Sequence, residues 1–163
     1  MSNLSIPKPR SIVPRSSADR SGGHFMGAEE FFERLSLELV RHGRYLEGVG
    51  LLRIAPERGR LGAEALREAI ETETRRTDAI CSYPDGSHAL ILMRAGHEQM
   101  ATLAQRLSET AREIHGQRGG RPATFVIGAA ATENRRLAAD ELWSMADEAL
   151  EASQAHANAT ICA

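Results

Sequence analysis

Apolar residues along this chain follow two patterns, helical spacing in some segments and short unbroken runs in others. Four segments place apolar residues at helical spacing and are predicted to be helices: 28–43, 61–76, 100–114 and 142–149. Two short, mainly apolar runs predict buried strands, 48–55 and 124–131, and residues 160–162 are expected to form a last short strand. The segments 79–83 and 88–93 flank Pro-Asp-Gly-Ser, a turn sequence, so they predict a β-hairpin.

The predicted order is a helix, then β-α-β-β-α-β, then a helix and a last short strand. This order indicates an α+β fold of the ferredoxin-like, palm-type βαββαβ plan, with the two inner helices packed on one face of the sheet. An extra N-terminal helix and a C-terminal helix are added to that plan. Residues 1–25 are rich in Ser, Pro, Gly and Arg and are predicted to be a disordered tail, whereas residues 26–163 form one domain.

Composition excludes several classes of function. The net charge of −2 gives no field that would attract nucleic acid, and no apolar run approaches the roughly 18 residues of a membrane-inserted helix. Cys81 and Cys162 lack metal-site spacing, so we expect a reduced, cytoplasmic protein without a bound metal or cofactor. Lys8 is the only lysine among the 20 Lys and Arg residues. Any cationic site is therefore made of guanidinium groups, which suit phosphate or a guanine edge.

One segment carries a family resemblance. Arg75 and Asp78 form an R-x-x-D motif, five residues follow, and residues 84–88 (Pro-Asp-Gly-Ser-His) come before an apolar strand. This arrangement resembles the central segment of GGDEF (diguanylate cyclase) domains, where the hairpin carries the GGDEF signature. Three further segments resemble that family's later helix, strand and terminal A-D-x-A-L pattern: 103–109, 125–130 and 146–150.

The resemblance implies a degenerate member of the family without catalysis. A diguanylate cyclase joins two GTP molecules and needs divalent ions held by carboxylates. Arg53 stands where the family has a metal-binding Asp on the first strand, and Gly86 and Ser87 replace the acidic pair of the hairpin. Pro84 and Asp85 replace the two glycines, and Asp85 is expected to point away from the site. We therefore predict no catalytic residues, no metal ligands and no enzymatic activity.

The retained R-x-x-D implies a ligand site. In the family this motif binds an intercalated dimer of cyclic di-GMP, and Arg106 matches the position of a second arginine. We therefore predict that Arg75, Asp78 and Arg106 bind cyclic di-GMP through guanine or phosphate contacts. A structural interpretation stays open, in which Arg75 ends a helix, Asp78 binds backbone amides and Arg106 is solvated.

These observations leave three functional hypotheses. In the first, the domain is a non-enzymatic cyclic di-GMP receptor that contacts a protein partner in trans, in exopolysaccharide or biofilm control as the resemblance implies. In the second, it is a protein-interaction or scaffold subunit that binds no nucleotide. The third is a residual enzyme or GTP-binding domain. The expected partners are cyclic di-GMP, another protein and a second copy of the chain. His88, in the hairpin, is expected to be an ordinary edge residue and not a catalytic base, since no nucleophile is identified to pair with it.

Overall fold

The computed structural model describes residues 23–45, 47–56, 60–119, 125–155 and 160–162. The six strands in these ranges are β1 (His24–Phe25), β2 (Val49–Pro56), β3 (Ala79–Ser82), β4 (His88–Met93), β5 (Phe125–Ala131) and β6 (Thr160–Cys162). The four helices are α1 (Ala28–Tyr45), α2 (Arg60–Glu73), α3 (His97–Gln117) and α4 (Ala139–Ala155). No helix within these ranges combines the length and the apolar character that crossing a bilayer requires.

The strands form one mixed sheet in the order β1-β3-β4-β2-β5-β6. The four central strands pair with one another in antiparallel fashion, and β1 and β6 are added in parallel at the two edges. The central order β3-β4-β2-β5 is the one that a βαββαβ unit produces, so the predicted ferredoxin-like plan is confirmed.

Helices cover both faces of this sheet. Leu52, Ile54 and Leu90 project from the central strands into a core shared with α2 and α3, as the predicted plan requires. Leu51 and Ile91 project to the other face, into a core shared with α1 and α4. The central strands are apolar at nearly every position because both of their faces are buried.

Helix α4 packs closely against β5. A Cβ atom at Gly128 would overlap the backbone nitrogen of Leu150, so only a residue without a side chain allows this approach. The Ser153 hydroxyl donates a hydrogen bond of 2.6 Å to the carbonyl of Ile127 and satisfies a polar group in the same contact. This packing fixes the position of α4 over the sheet.

Several predicted boundaries are wrong: α3 and α4 each begin three residues earlier than predicted and end three and six residues later, and two further differences have clear physical reasons. Residues 24–25 were assigned to a disordered tail, but His24–Phe25 pairs in parallel with β3, and a two-residue strand carries no periodicity that sequence analysis can detect. Helix α2 ends at Glu73 instead of residue 76, because the Thr74 hydroxyl donates to the Ile70 carbonyl at 2.6 Å and the chain then turns. The predicted tail of residues 1–22 lies outside the described ranges.

Candidate functional site

The three predicted ligand residues line one cavity. Arg75 and Asp78 lie between α2 and β3, and Arg106 lies on α3, yet all three border a cavity of about 290 Å³. Its remaining lining comes from the end of β4 and the first turns of α3, at residues 92–95, 98, 99, 102 and 103, and from Glu73. The fold therefore brings together residues that are up to 31 positions apart in the sequence.

The R-x-x-D motif forms a tight turn. The Arg75 amide donates to Oδ2 of Asp78 at 2.8 Å, and the Asp78 amide donates back to the Arg75 carbonyl at 2.9 Å. Asp78 is buried, whereas Arg75 is exposed beyond the end of α2. Asp78 thus binds a backbone amide, as the structural interpretation expected, and it fixes the backbone from which the Arg75 side chain projects.

Arg106 is held by a buried carboxylate. Its Nε and Nη2 atoms both donate to Oε2 of Glu73, at 3.0 and 2.6 Å, while Oε1 of Glu73 accepts a hydrogen bond of 2.8 Å from the Thr110 hydroxyl. Glu73 is only 2% exposed, so this ion pair is shielded from solvent on the carboxylate side. The contact uses one edge of the guanidinium and leaves the other edge for a ligand.

Sequence analysis did not identify Glu73, although a signal for it was present. Leu66, Ala69 and Ile70 form the apolar face of the predicted helix, and a period of 3.6 residues per turn puts position 73 on the same face. A glutamate on an inward face indicates a buried cationic partner. Arg106 is that partner, so the alternative that left it as a solvated helix residue does not hold.

The turn of the β3–β4 hairpin lies at the opposite end of β3 and β4 from the cavity. Its turn closes through a hydrogen bond of 2.9 Å from the Tyr83 amide to the Ser87 carbonyl, and Gly86 takes a φ of 87° that favours glycine. Oδ1 of Asp85 accepts hydrogen bonds from the hydroxyl and amide of Ser87, which hold the pKa of the Asp85 carboxyl below its ordinary value. Asp85 therefore lies in the turn and not in a strand. The prediction that it points away from the site assumed the alternation of side chains along a strand, so that prediction does not apply.

Arg53 of β2 points toward α4 and is enclosed there. Its Nη1 atom lies 2.7 Å from Oδ1 of Asp147, and its guanidinium carbon lies 4.4 Å from the ring centre of Trp143 and 5.5 Å from that of Tyr83. Both rings are within the range of cation–π attraction. Arg53 is only 9% exposed, and its Nε atom is buried without a hydrogen-bond partner.

Aromatic side chains extend this enclosure. The ring of Trp143 lies 5.3 Å from that of Phe32 and 6.3 Å from that of Phe31, and Tyr83 contacts Trp143 edge-on at 6.2 Å. Burial raises the pKa of Tyr83 to about 12, and the neighbouring Cys81 thiol adds to this effect. The phenol therefore stays protonated, and Trp143 is part of the core around Arg53.

This end of the sheet does not fit a divalent cation. A metal ion here would meet the Arg53 guanidinium, whose charge it would repel, and the nearest carboxylate, Asp147, already binds that guanidinium. The Asp85 carboxylate is occupied by the turn. Across the described ranges, no three His, Cys, Asp or Glu side chains are grouped closely enough to hold a metal.

His88 differs from its prediction. Strand β4 lies between β3 and β2, so His88 is not on an edge strand, and it is only 3% exposed. Its Nδ1 atom lies 2.9 Å from the Ser82 hydroxyl, a contact that sequence analysis did not anticipate. Burial, and then the charge of Arg67, lower the pKa of His88 to about 4, which makes it a weak base at neutral pH.

Neither a protein-family model nor a curated protein matches the chain. Solved structures match it in fold. The GGDEF domain of TpbB (YfiN) from Pseudomonas aeruginosa gives a TM-score of 0.67 at 16% identity, over 85% of this chain and 90% of that one. The diguanylate cyclase SiaD from the same organism, solved with its activator SiaC, gives 0.72 at 16% identity, over 84% of this chain and 58% of that one.

A third structure covers more of the sequence. The GGDEF domain of DgcB from Caulobacter crescentus, solved in complex with c-di-GMP, gives a TM-score of 0.68 at 14% identity, over 96% of this chain and 98% of that one. These TM-scores show a common fold, and identities of 14–16% leave the chemistry of each protein to its own residues. In its fold, this chain is a GGDEF-like domain.

Proposed function

We propose that this domain is a non-catalytic receptor for cyclic di-GMP, which binds at the cavity of Arg75, Asp78 and Arg106 and signals through a protein partner. The observation that carries the proposal is that these three residues, chosen from the sequence, border a single cavity. We place the signalling in exopolysaccharide or biofilm control, the setting that the family resemblance implies.

The cavity chemistry supports a guanine nucleotide. The Arg75 guanidinium is exposed and forms no ion pair with any residue in the described ranges, so it can contact phosphate or the acceptor edge of guanine. Arg106 offers its second edge from a position fixed by Glu73. A cavity of about 290 Å³ is near the lower limit for small ligands, so it suits one base and its phosphate, with the rest of the nucleotide outside.

The geometry around Arg53 supports the absence of catalysis. The joining of two GTP molecules needs divalent ions to neutralise phosphate charge. The buried guanidinium of Arg53 would repel such ions. The structures of TpbB and DgcB share the fold, and DgcB was solved with c-di-GMP, which agrees with a nucleotide at this fold. Incubation with GTP and magnesium should yield no cyclic di-GMP, and detection of that product would overturn this part of the proposal.

A nucleotide-independent scaffold is the second candidate. It is favoured by the internal contacts of the site, since Asp78 binds the Arg75 amide and Arg106 binds Glu73. Both contacts stabilise the fold whether or not a ligand is bound. SiaD was solved with a protein activator, which agrees with a protein partner under either candidate.

Calorimetric titration with cyclic di-GMP separates the two candidates. A site of this kind should bind with a dissociation constant of about 1 µM. Arg75→Ala should weaken binding about 10- to 100-fold, because it removes charge-assisted hydrogen bonds worth about 1.5–3 kcal/mol. Arg76→Ala is the matched control, since this neighbouring arginine is exposed and does not line the cavity.

The other two site residues need variants that preserve the fold. Asp78→Asn keeps an acceptor for the Arg75 amide and removes the charge, and Arg106→Lys keeps a cation beside the buried Glu73 and removes the planar guanidinium. Both should weaken binding while the melting temperature stays within a few degrees. The absence of heat with the wild-type protein would support the scaffold, and binding that survives all three substitutions would place the ligand elsewhere.

A further inference from the structure

Helix α1 exposes apolar side chains on the face opposite its core. Phe31 and Leu35 are fully buried against the sheet, whereas Leu37 is 49% exposed and Val40 is 65% exposed. Together with Tyr45, these are the large hydrophobic side chains found exposed in the part of the chain that the structure describes, and all three belong to α1. Their concentration on one helix indicates a surface that another element covers.

Leu37 and Val40 belong to a straight stripe. Glu33, Leu37, Val40 and Arg44 are separated by four, three and four residues, so their side chains fall within about 60° of the helix circumference. All four are exposed. This α1 stripe is about 16 Å long.

The charges at the two ends of the α1 stripe are not neutralised by any residue that the structure describes. Arg34 and Arg41 both contact Oε1 of Glu38, at 2.8 and 3.2 Å. By contrast, Glu33 and Arg44 form no ion pair with any residue in the described ranges. The α1 stripe therefore carries an unpaired negative charge at one end, an unpaired positive charge at the other, and apolar side chains between them.

We propose that the α1 stripe is a homodimer surface on which two copies of this chain pack with their α1 helices antiparallel. A twofold axis between positions 38 and 39 places Leu37 against Val40 of the second copy, and Glu33 against Arg44 of the second copy. An interface with twofold symmetry must be self-complementary, and the α1 stripe meets this condition in its charges and in its apolar centre. A parallel arrangement would instead put Glu33 against Glu33.

A depression beside the α1 stripe supports the same partner. Val40 and Arg44 border a cavity of about 390 Å³ that is also lined by Leu39, Leu137 and Arg136. Leu37 of the second copy enters this space in the antiparallel arrangement. Two stripes about 16 Å long bury less area than a standard interface of about 1,600 Å². The dimer is therefore weak, with a dissociation constant above about 10 µM.

Sedimentation of the full chain from about 5 to 500 µM, without nucleotide, tests the inference. The wild-type protein should dimerise as its concentration rises. Glu33→Arg alone and Arg44→Glu alone should each raise the dissociation constant about tenfold, because both pairs of the interface become repulsive. A mixture of the two single variants should form a heterodimer, since the attraction between opposite charges returns in both pairs.

Two substitutions outside the α1 stripe, which make the same changes of charge as the two test variants, serve as controls. Glu151→Arg on α4 and Arg112→Glu on α3 change exposed residues without a described ion pair, and they should leave the dissociation constant unchanged. A wild-type protein that is monomeric throughout the range would overturn the inference. So would a dimer that the single charge reversals do not weaken, or a mixture of them that does not associate, because the copies would then meet elsewhere or not at all.

Discussion

Replacing Arg53 by methionine and, separately, by aspartate tests what holds this guanidinium between the sheet and α4. Methionine keeps much of the apolar stem and removes the charge. The loss of a desolvated cation–π contact with Trp143 costs about 2 kcal/mol, and the loss of the half-exposed Asp147 pair costs about 0.5 kcal/mol. The Nε atom is buried without a hydrogen-bond partner, so its removal offsets about 1 kcal/mol of this loss. The free energy of unfolding should therefore fall by about 1–2 kcal/mol.

Aspartate should be much more damaging at the same position. Its carboxylate would lie against the negative faces of Trp143 and Tyr83 and near Asp147, without a buried cation to pair with. A buried unpaired charge of this kind costs about 3–5 kcal/mol. At about 2–4 °C per kcal/mol for a chain of this size, the melting temperature should fall by about 10 °C, against about 5 °C for methionine.

Urea unfolding followed by circular dichroism and by tryptophan fluorescence measures both changes. Trp143 is the only tryptophan, so its emission reports directly on the surroundings of Arg53. Arg112→Met, at an exposed helix position, is the control and should change stability by less than about 0.5 kcal/mol. If the aspartate variant proved as stable as the methionine variant, the surroundings of Arg53 would not favour a cation and the reasoning would be refuted.

Two further predictions concern the core. His88 has a pKa of about 4 in the folded protein against an ordinary 6.5, so unfolding takes up a proton at any pH between these two values. The free energy of unfolding should therefore fall by about 3 kcal/mol as the pH drops from 6.5 to 4. In urea titrations, His88→Gln should remove this dependence. Gly128→Ala should cost about 3 kcal/mol or more in thermal melts because its Cβ overlaps Leu150, whereas Gly116→Ala, which meets no atom within 4 Å in α3, should stabilise by up to about 1 kcal/mol.

The sequence by itself determined every element except β1, and the order of those elements. Mainly apolar runs predicted the ends of β2 and β5 to within one or two residues, and Pro-Asp-Gly-Ser predicted the hairpin. Both signals are local, because the spacing of apolar residues and the turn residues lie within one short segment. The R-x-x-D motif of Arg75 and Asp78, which borders the cavity, was also visible in the sequence, since its spacing is itself local.

Only the tertiary structure decided what those residues contact. The pairing of Arg106 with Glu73, the enclosure of Arg53 by Trp143 and Asp147, and the central position of His88 each join segments distant along the chain. Such contacts depend on which strands are neighbours and which helix covers each face, and a local pattern does not encode that choice. The same limit hid the short strand β1, whose stability comes from pairing with β3 and not from its own two residues.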